Sequence, residues 1–450
     1  MSGQKIPTAL GTEKISKLLT QYAIPAIIAM TAASLYNMID SIFIGHGVGA
    51  MAISGLALTF PLMNLAAAFG TLVGVGAATL VSVKLGQKDY DTAQRVLGNV
   101  VVLNVVIGIA FSIVTLLFLD PILYFFGASE STIEYARDYI KIILTGNVVT
   151  HLYWGLNSVL RSAGHPRQAM LATIATVVIN TILDPVFIYW FDWGIQGAAI
   201  ATVTAQVIAL LWLIKLFTNK NELIHFHKGV FRLKKKIVTA SFSIGMSPFM
   251  MNLAATVVVL LINQGLKGHG GDLAIGAYGI VNRLVFLFLM IVMGLNQGMQ
   301  PIAGYNFGAQ LYTRVTHVLK LTIYVATAVT TTGFLMGMLI PRLAVSIFTS
   351  DTEMIDLASK GLRLVVLFFP LVGFQMVTSN FFQSIGIAKK AIFLSLTRQI
   401  LFLIPCLLIL PEIFGSTGVW ISMPISDLVS GIVAAIMLWR QFRSFKNVGG

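Results

Sequence analysis

The sequence predicts an all-α integral membrane protein: twelve transmembrane helices in two six-helix bundles, related by a pseudo-twofold axis along the membrane normal. Three observations carry this. First, 57% of the 450 residues are hydrophobic and only 10% are charged, against about 25% charged in a soluble domain. With a mean hydropathy of +0.86, the outer surface must face lipid. Second, apolar runs of about 20 residues or more, long enough to cross a hydrocarbon layer as helices, recur along the chain. Third, the chain resembles itself at a shift of 222 residues.

The predicted spans, in order, are 15–44, 52–83, 95–120, 132–160, 168–190, 195–217, 236–265, 273–304, 315–340, 355–383, 390–411 and 416–440. Helices are the economical solution because the bilayer core offers the backbone no water to bond. Span one has Lys14 and Lys17 at its start and contains Pro25, which removes a backbone hydrogen bond and favours a kink. Span two carries Gly70, Gly74 and Gly76, a small-residue pattern suited to close helix packing and without the preceding strand of a phosphate loop. The first residues, MSGQKIPTAL, are polar, and the apolar run after them is longer than a signal h-region, so no cleaved leader is expected. The single cysteine, Cys406 in span eleven, has no partner for an internal disulfide and reads as a packing residue.

Lys and Arg fall on one side of these spans. Lys84, Lys88 and Arg95, Arg161 and Arg167, the run from Lys228 to Lys236, Arg314, Lys389 and Lys390, and Arg440 and Arg443 all lie there. The opposite side has Asp120, Glu130, Glu134, Asp192, Asp351 and Glu353, with Lys267 and Arg342 against the trend. The basic side is therefore cytoplasmic, and so are both termini, in a plasma membrane. The net charge of +13 is spread over these loops rather than gathered in a domain, which argues against nucleic acid as a partner.

At the 222-residue shift, LGQKDYDTAQRVL from Leu85 overlays FGAQLYTRVTHVL from Phe307, and RSAGHPRQAM from Arg161 overlays QSIGIAKKAI from Gln383. FFGASESTIEYA overlays IFTSDTEMIDLA, and a slip of one residue pairs Pro25 with Pro248. The expected organisation is an N-terminal lobe at 1–217, a cytoplasmic linker at 218–235 whose basic run would lie on anionic headgroups, and a C-terminal lobe at 236–450. A pathway between two lobes of one chain needs no second copy, so the protein is expected to work as a monomer.

Acids within the spans are few. Asp40 lies about 8 Å before Gly45 along span one, and Asp184 about 9 Å before Trp190 along span five, both towards the acid-rich side. Asn180 shares a helical face with Asp184, and Tyr36 and Asn37 stand in the same relation to Asp40. Thr202 in span six and Tyr139 in span four fall at comparable depth. At the repeat-equivalent positions the second lobe has Asn263 and Pro405, so the acids belong to the first lobe alone. Two carboxylates in a poorly hydrated bundle cannot both stay ionised cheaply unless a cation sits between them. A proton needs one carboxylate, whereas Na+ wants several oxygens, which Asn180 and Thr202 would complete. If span one bends differently when Asp40 is neutralised, Pro25 is the place for that bend. Asp427, Arg283 and Arg398 are further intramembrane charges that line a pathway, pair across helices or snorkel. His225 and His227 lack partners at metal-ligand spacing and read as loop histidines.

In combination, NMIDSIFIGHGVGAMAISGLALTFPL in span one, LGQKDYDTAQRVL, LRSAGHPRQAM and NTILDPVFIYW resemble the multidrug and toxic compound extrusion (MATE) family over about 15–440. The resemblance implies a secondary antiporter in which H+ or Na+ runs inward while a lipophilic, often cationic, drug-like compound leaves. It is similar in pattern to the DinF-like branch, whose ion-coupling residues match Asp40, Asn180, Asp184 and Thr202, with Tyr139 in support. NorM-like members also use acids in spans seven and ten. Here those spans read TVVVLLINQG and FQMVTSNFFQS, without a carboxylate. No cofactor beyond the coupling ion is implied. The wider superfamily includes flippases for lipid-linked oligosaccharides, which commonly have a cationic central cavity, and few intramembrane Lys or Arg occur here. An integral membrane enzyme would need a His, Glu or Ser/Lys constellation near an interface, and none is present.

Overall fold

The computed structural model describes residues 8–227 and 229–448, without the side chains of 36–38, 41, 45, 50, 51, 272 and 444–448. Spans one to three are the single helices Ile15–Gly47, Ala50–Gly86 and Tyr90–Leu117. Span four is broken at Gly146 into Ile133–Thr145 and Asn147–Ser162. Span five runs Pro166–Pro185 and ends in a π-helical turn, Val186–Trp190; span six is Gly194–Phe217. Spans seven and eight, expected to be joined by a loop at 266–272, are instead Lys235–Gly271 and Leu273–Gly308, almost continuous. Gly271, at φ 66 and ψ −166, reverses the chain in one residue, a conformation that Cβ would oppose.

Span nine is Tyr312–Leu339, span ten is Thr352–Val365 and Phe369–Ser384 bent by 52°, and span twelve is Ser416–Val448. Span eleven has a π-helical turn, Thr397–Leu403, between Ala388–Leu396 and Ile404–Phe414. Among the described residues ten helices are long and apolar enough to cross a membrane, and the bent pair of span ten makes eleven. The twelfth is span four, whose two pieces are each too short to qualify alone.

The repeat is visible in the backbone. Tyr90–Leu117 and Tyr312–Leu339 each have 28 residues, and Asn147–Ser162 and Phe369–Ser384 each have 16, all in register with the 222-residue shift. The left-handed residues also recur, Gly49 with Gly271, Lys88 (φ 59) with Gln310 (φ 61), and Gly164 with Gly386. Each copy has a short helix ahead of its broken span, Leu119–Phe125 or Pro341–Ser346. In the first copy Arg137 grips Asp120 with two bonds of 2.9 Å. In the second the charges are exchanged and Arg342 pairs with Asp356. Arg342, which breaks the charge trend of its side, thus has its own counter-ion.

The chain divides into two compact units. One contains Ile28–Phe249; the other contains Glu13–Ile27 together with Met250–Gly450. The first part of span one therefore packs with the second copy, and the first part of span seven with the first copy. Glycines allow close backbone approach at these contacts. A Cβ on Gly298 would come within 2.6 Å of Ala23 and one on Gly294 within 2.6 Å of Ile27, while one on Gly76 would meet the Ser241 carbonyl and one on Gly245 the Leu72 carbonyl. Pro25 and Pro248 each lie within two residues of the point where the chain changes unit.

Residues 218–227 and 229–235 belong to the first unit and are bonded to it. Asn99 donates through Nδ2 to the carbonyl of Arg232 at 3.2 Å, and its Oδ1 accepts from the Lys234 amide at 3.1 Å. Glu222 pairs with His165 at 3.2 Å, and His225 bonds the Glu222 carbonyl at 2.8 Å.

Candidate functional site

Four of the residues singled out from the sequence meet inside the first unit. Asp184 is fully buried and Asn180 nearly so, and Asp40 and Thr202 are 5% and 7% exposed. Asn180 sits one helical turn before Asp184, so its Nδ2 reaches Asp184 Oδ1 at 3.2 Å and Thr202 Oγ1 of span six at 3.3 Å. Asp40 comes from span one, close enough for its charge to act on Asp184.

Local sequence explains the arrangement. Pro185 has no N–H, and the chain after it widens into the π-helical turn Val186–Trp190, a device common at functional sites. Gly197 lets span six approach that turn, for a Cβ there would lie 2.7 Å from the Phe187 carbonyl oxygen. The break of span four at Gly146 packs on Val203, beside Thr202. Ile44, Tyr139, Ile188, Ile195, Ala198 and Ala199 form one buried apolar cluster that draws on spans one, four, five and six. Tyr139 is therefore a packed member of the surrounding wall. The side chains of Tyr36 and Asn37 lie outside the described residues. Pro25 belongs to the other unit and contributes no group to the site.

The arrangement leaves acceptors over. Asp40 Oδ1, Asp184 Oδ2 and Asn180 Oδ1 are buried oxygens with no hydrogen-bond partner in the described structure. An unpartnered buried polar atom costs about 1–3 kcal/mol, more for a charged one. Three such oxygens on two acids and an amide, beside a hydroxyl, form a set that a proton or a small hard cation would satisfy.

Sequence reasoning missed two features. Gln206, one turn from Thr202, accepts a 2.5 Å bond from Thr150 and extends polar character along span six; its spacing from Thr202 was the available signal. His151 and Asn104 are fully buried, with His151 Nδ1 and both amide atoms of Asn104 unpartnered. A lone His or Asn in an apolar run carries no such signal. Among the described residues no cluster of His, Cys, Asp and Glu suits a multivalent metal.

A multi-pass helical fold made of two copies of one six-span unit, with a buried carboxylate pair inside the first, is that of a membrane transporter. The chain belongs to the MatE family, whose model matches it twice, over residues 25–186 and 248–408. It is similar to the multidrug export protein MepA of Staphylococcus haemolyticus, 30% identical over 94% of this chain and 93% of that one, and to MepA of Staphylococcus aureus at 28%. Among solved structures it resembles the MATE multidrug transporter DinF-BH in complex with rhodamine 6G, 35% identical, with a TM-score of 0.89 over 96% of each chain. An outward-facing multidrug resistance MATE transporter of the MOP superfamily shares the fold, with a TM-score of 0.92 over 99% of each chain at 23% identity.

Proposed function

We propose that the protein is a cation-coupled antiporter that exports lipophilic, often cationic, organic compounds across the cytoplasmic membrane of a bacterium or archaeon by alternating access. The observation that carries this reading is the set of unpartnered buried oxygens on Asp40, Asp184 and Asn180. A proton, or Na+ held by Asp40, Asn180, Asp184 and Thr202, is the coupling ion. With the ion bound, the pair loses its repulsion and its desolvation cost; without it, the unit must hydrate the site or rearrange. That difference between ion-bound and ion-free states is the condition for coupling a gradient to a conformational change. Family membership and the multidrug relatives support organic drug-like substrates. The basic loops support cytoplasmic termini, and the duplicated chain supports function as a monomer.

The test is rhodamine 6G efflux from proteoliposomes under a pH gradient and, separately, a Na+ gradient. One gradient should drive export, and Asp40→Asn and Asp184→Asn should each abolish it while the protein still inserts and binds the dye without a gradient. Export driven by neither gradient would sink the antiporter reading, and normal coupling in both variants would remove the site.

A further inference from the structure

The ends of spans four, five and six on the Lys/Arg-rich side enclose, with residues 219–224, a cavity of about 230 Å³ that lies wholly within the first unit. At about 30 Å³ per water in the liquid it has room for roughly seven waters, more than a single ion needs. His165, Gln168, Lys215, Asn219 and Glu222 bring polar groups to its wall, and Trp212 brings a half-buried ring. Lys215 lies about 20 Å along span six from Thr202, so the cavity is separate from the carboxylate site.

Two observations set the class of occupant. The first is the charge arrangement. Glu222 Oε2 meets His165 Nε2 at 3.2 Å, and Glu222 Oε1 has no hydrogen bond among the described residues. Lys215 lines the same cavity, yet it makes no ion pair with Glu222 or with any other described carboxylate. A cation and an anion held apart on one wall complement a ligand that carries both signs. The second is the outer face of span six, where Ile208, Leu211 and Lys215 recur at helical spacing. Ile208 and Leu211 are 44% and 61% exposed, and Lys215 is exposed after them. An uncovered apolar stripe on a spanning helix meets hydrocarbon, and a lysine that ends it stands at the level of the headgroups. The cavity therefore borders the headgroup layer.

The second copy has the same helix ends without these charges. At the 222-residue shift His165 corresponds to Ile387 and Gln168 to Lys390, and with a slip of one residue Lys215 corresponds to Ile436. Lys390 donates from Nζ to Gln441 Oε1 of span twelve at 2.7 Å and ties those ends together. The Gln168 side chain makes no such bond among the described residues and lines the cavity instead. Packing common to both copies thus does not require the charged wall.

We infer that this cavity binds the headgroup of a zwitterionic aminophospholipid, phosphatidylethanolamine, with the phosphate at Lys215 and Gln168 and the ammonium at Glu222. An ammonium has three N–H donors and can reach Glu222 Oε1 while His165 keeps Oε2; the trimethylammonium of phosphatidylcholine has no donor to offer. Phosphatidylglycerol brings the phosphate but leaves the carboxylate without a cation. The bound headgroup bridges span six to residues 219–224 and so holds this end of the first unit together. The site requires nothing of the coupling ion or the exported compound.

The test is native mass spectrometry of the delipidated full-length protein, titrated with phosphatidylethanolamine, phosphatidylcholine and phosphatidylglycerol of identical acyl chains. The parent should bind the first phosphatidylethanolamine about ten-fold more tightly than either of the others. Lys215→Gln should weaken that binding about five-fold, and Glu222→Gln should erase the preference over phosphatidylglycerol. Equal affinity for the three lipids in the parent, or a preference that survives both variants, means lipid held only in the general annulus and overturns the proposal. Should Glu222→Gln not fold, the N-methyl and N,N-dimethyl headgroups read the donors on the parent itself: affinity should fall with each methyl, and a flat series is equally decisive against the site. Glycerophosphoethanolamine, which has no acyl chains, should leave the lipid in place at about ten-fold excess; displacement would overturn a membrane lipid as the occupant.

Discussion

Asp40 and Asp184 differ in what holds them. Asp184 has Oδ1 anchored by Asn180 and Oδ2 unpartnered, and for Asp40 Oδ1 is unpartnered and no side-chain anchor is seen among the described residues. Replacing Asn180 with Leu removes the donor shared by Asp184 and Thr202, and should cost about 1–3 kcal/mol of stability, read by thermal unfolding in detergent. A second residue-scale prediction concerns Asp89, which caps the helix Tyr90–Leu117 by accepting from the Thr92 amide at 3.2 Å and pairs with Lys84 at 3.1 Å. Partial burial pushes its carboxyl up, but the bonds from Thr92 and Lys84 outweigh this and hold it below the usual carboxylate range. A folded-state pKa below the unfolded one gives stability that is present above the unfolded pKa and lost as pH falls through the folded pKa. Asp89→Ala should lose about 1 kcal/mol at neutral pH, mostly from the cap because the ion pair is screened by solvent, and the deficit should shrink in acid. An equal deficit at low pH would contradict the assignment.

Among the elements, the helices themselves follow from hydropathy, and their interruptions follow from particular residues. Pro185 could be read in advance as a disturbance of span five, yet the π-helical turn it precedes depends on how span six packs. Gly197→Ala should force the Phe187 backbone aside, with an overpacking cost of about 1–3 kcal/mol and weakened ion coupling, measured by melting and by gradient-driven efflux. A variant as stable and as well coupled as the parent would show that the approach of spans five and six does not position the site. The same reasoning makes Gly76→Ala destabilising, since its Cβ would lie 1.9 Å from the Ser241 carbonyl oxygen. The sequence marked Gly76 as a close-packing residue; that its partner is span seven was not legible, because hydropathy records burial and not identity of neighbour.

For the whole molecule, the consequence of duplication is exchange. Each copy lends the first part of its first helix to the other unit, and Pro25 and Pro248 mark the changeovers. A proline at such a point loosens the helix where a change in one unit must pass along the chain. Pro25→Ala is therefore expected to lower gradient-driven efflux several-fold while rhodamine 6G binding without a gradient persists; full coupled transport would remove span one from the coupling path. What the sequence determined alone is what can be read one segment at a time: the apolar spans from hydropathy and the 222-residue repeat, with an expected orientation from loop charge and an expected common depth for Asp40, Asn180, Asp184 and Thr202. Rise per residue is fixed in a helix, so depth is a property of position in the chain. The tertiary structure decided which oxygens are left without partners, that Arg398 finds Asp427 and Arg342 finds Asp356, and that the first helices trade units. Those outcomes depend on lateral contacts between spans distant in sequence, and a hydrophobic period fixes which face is buried without fixing what covers it.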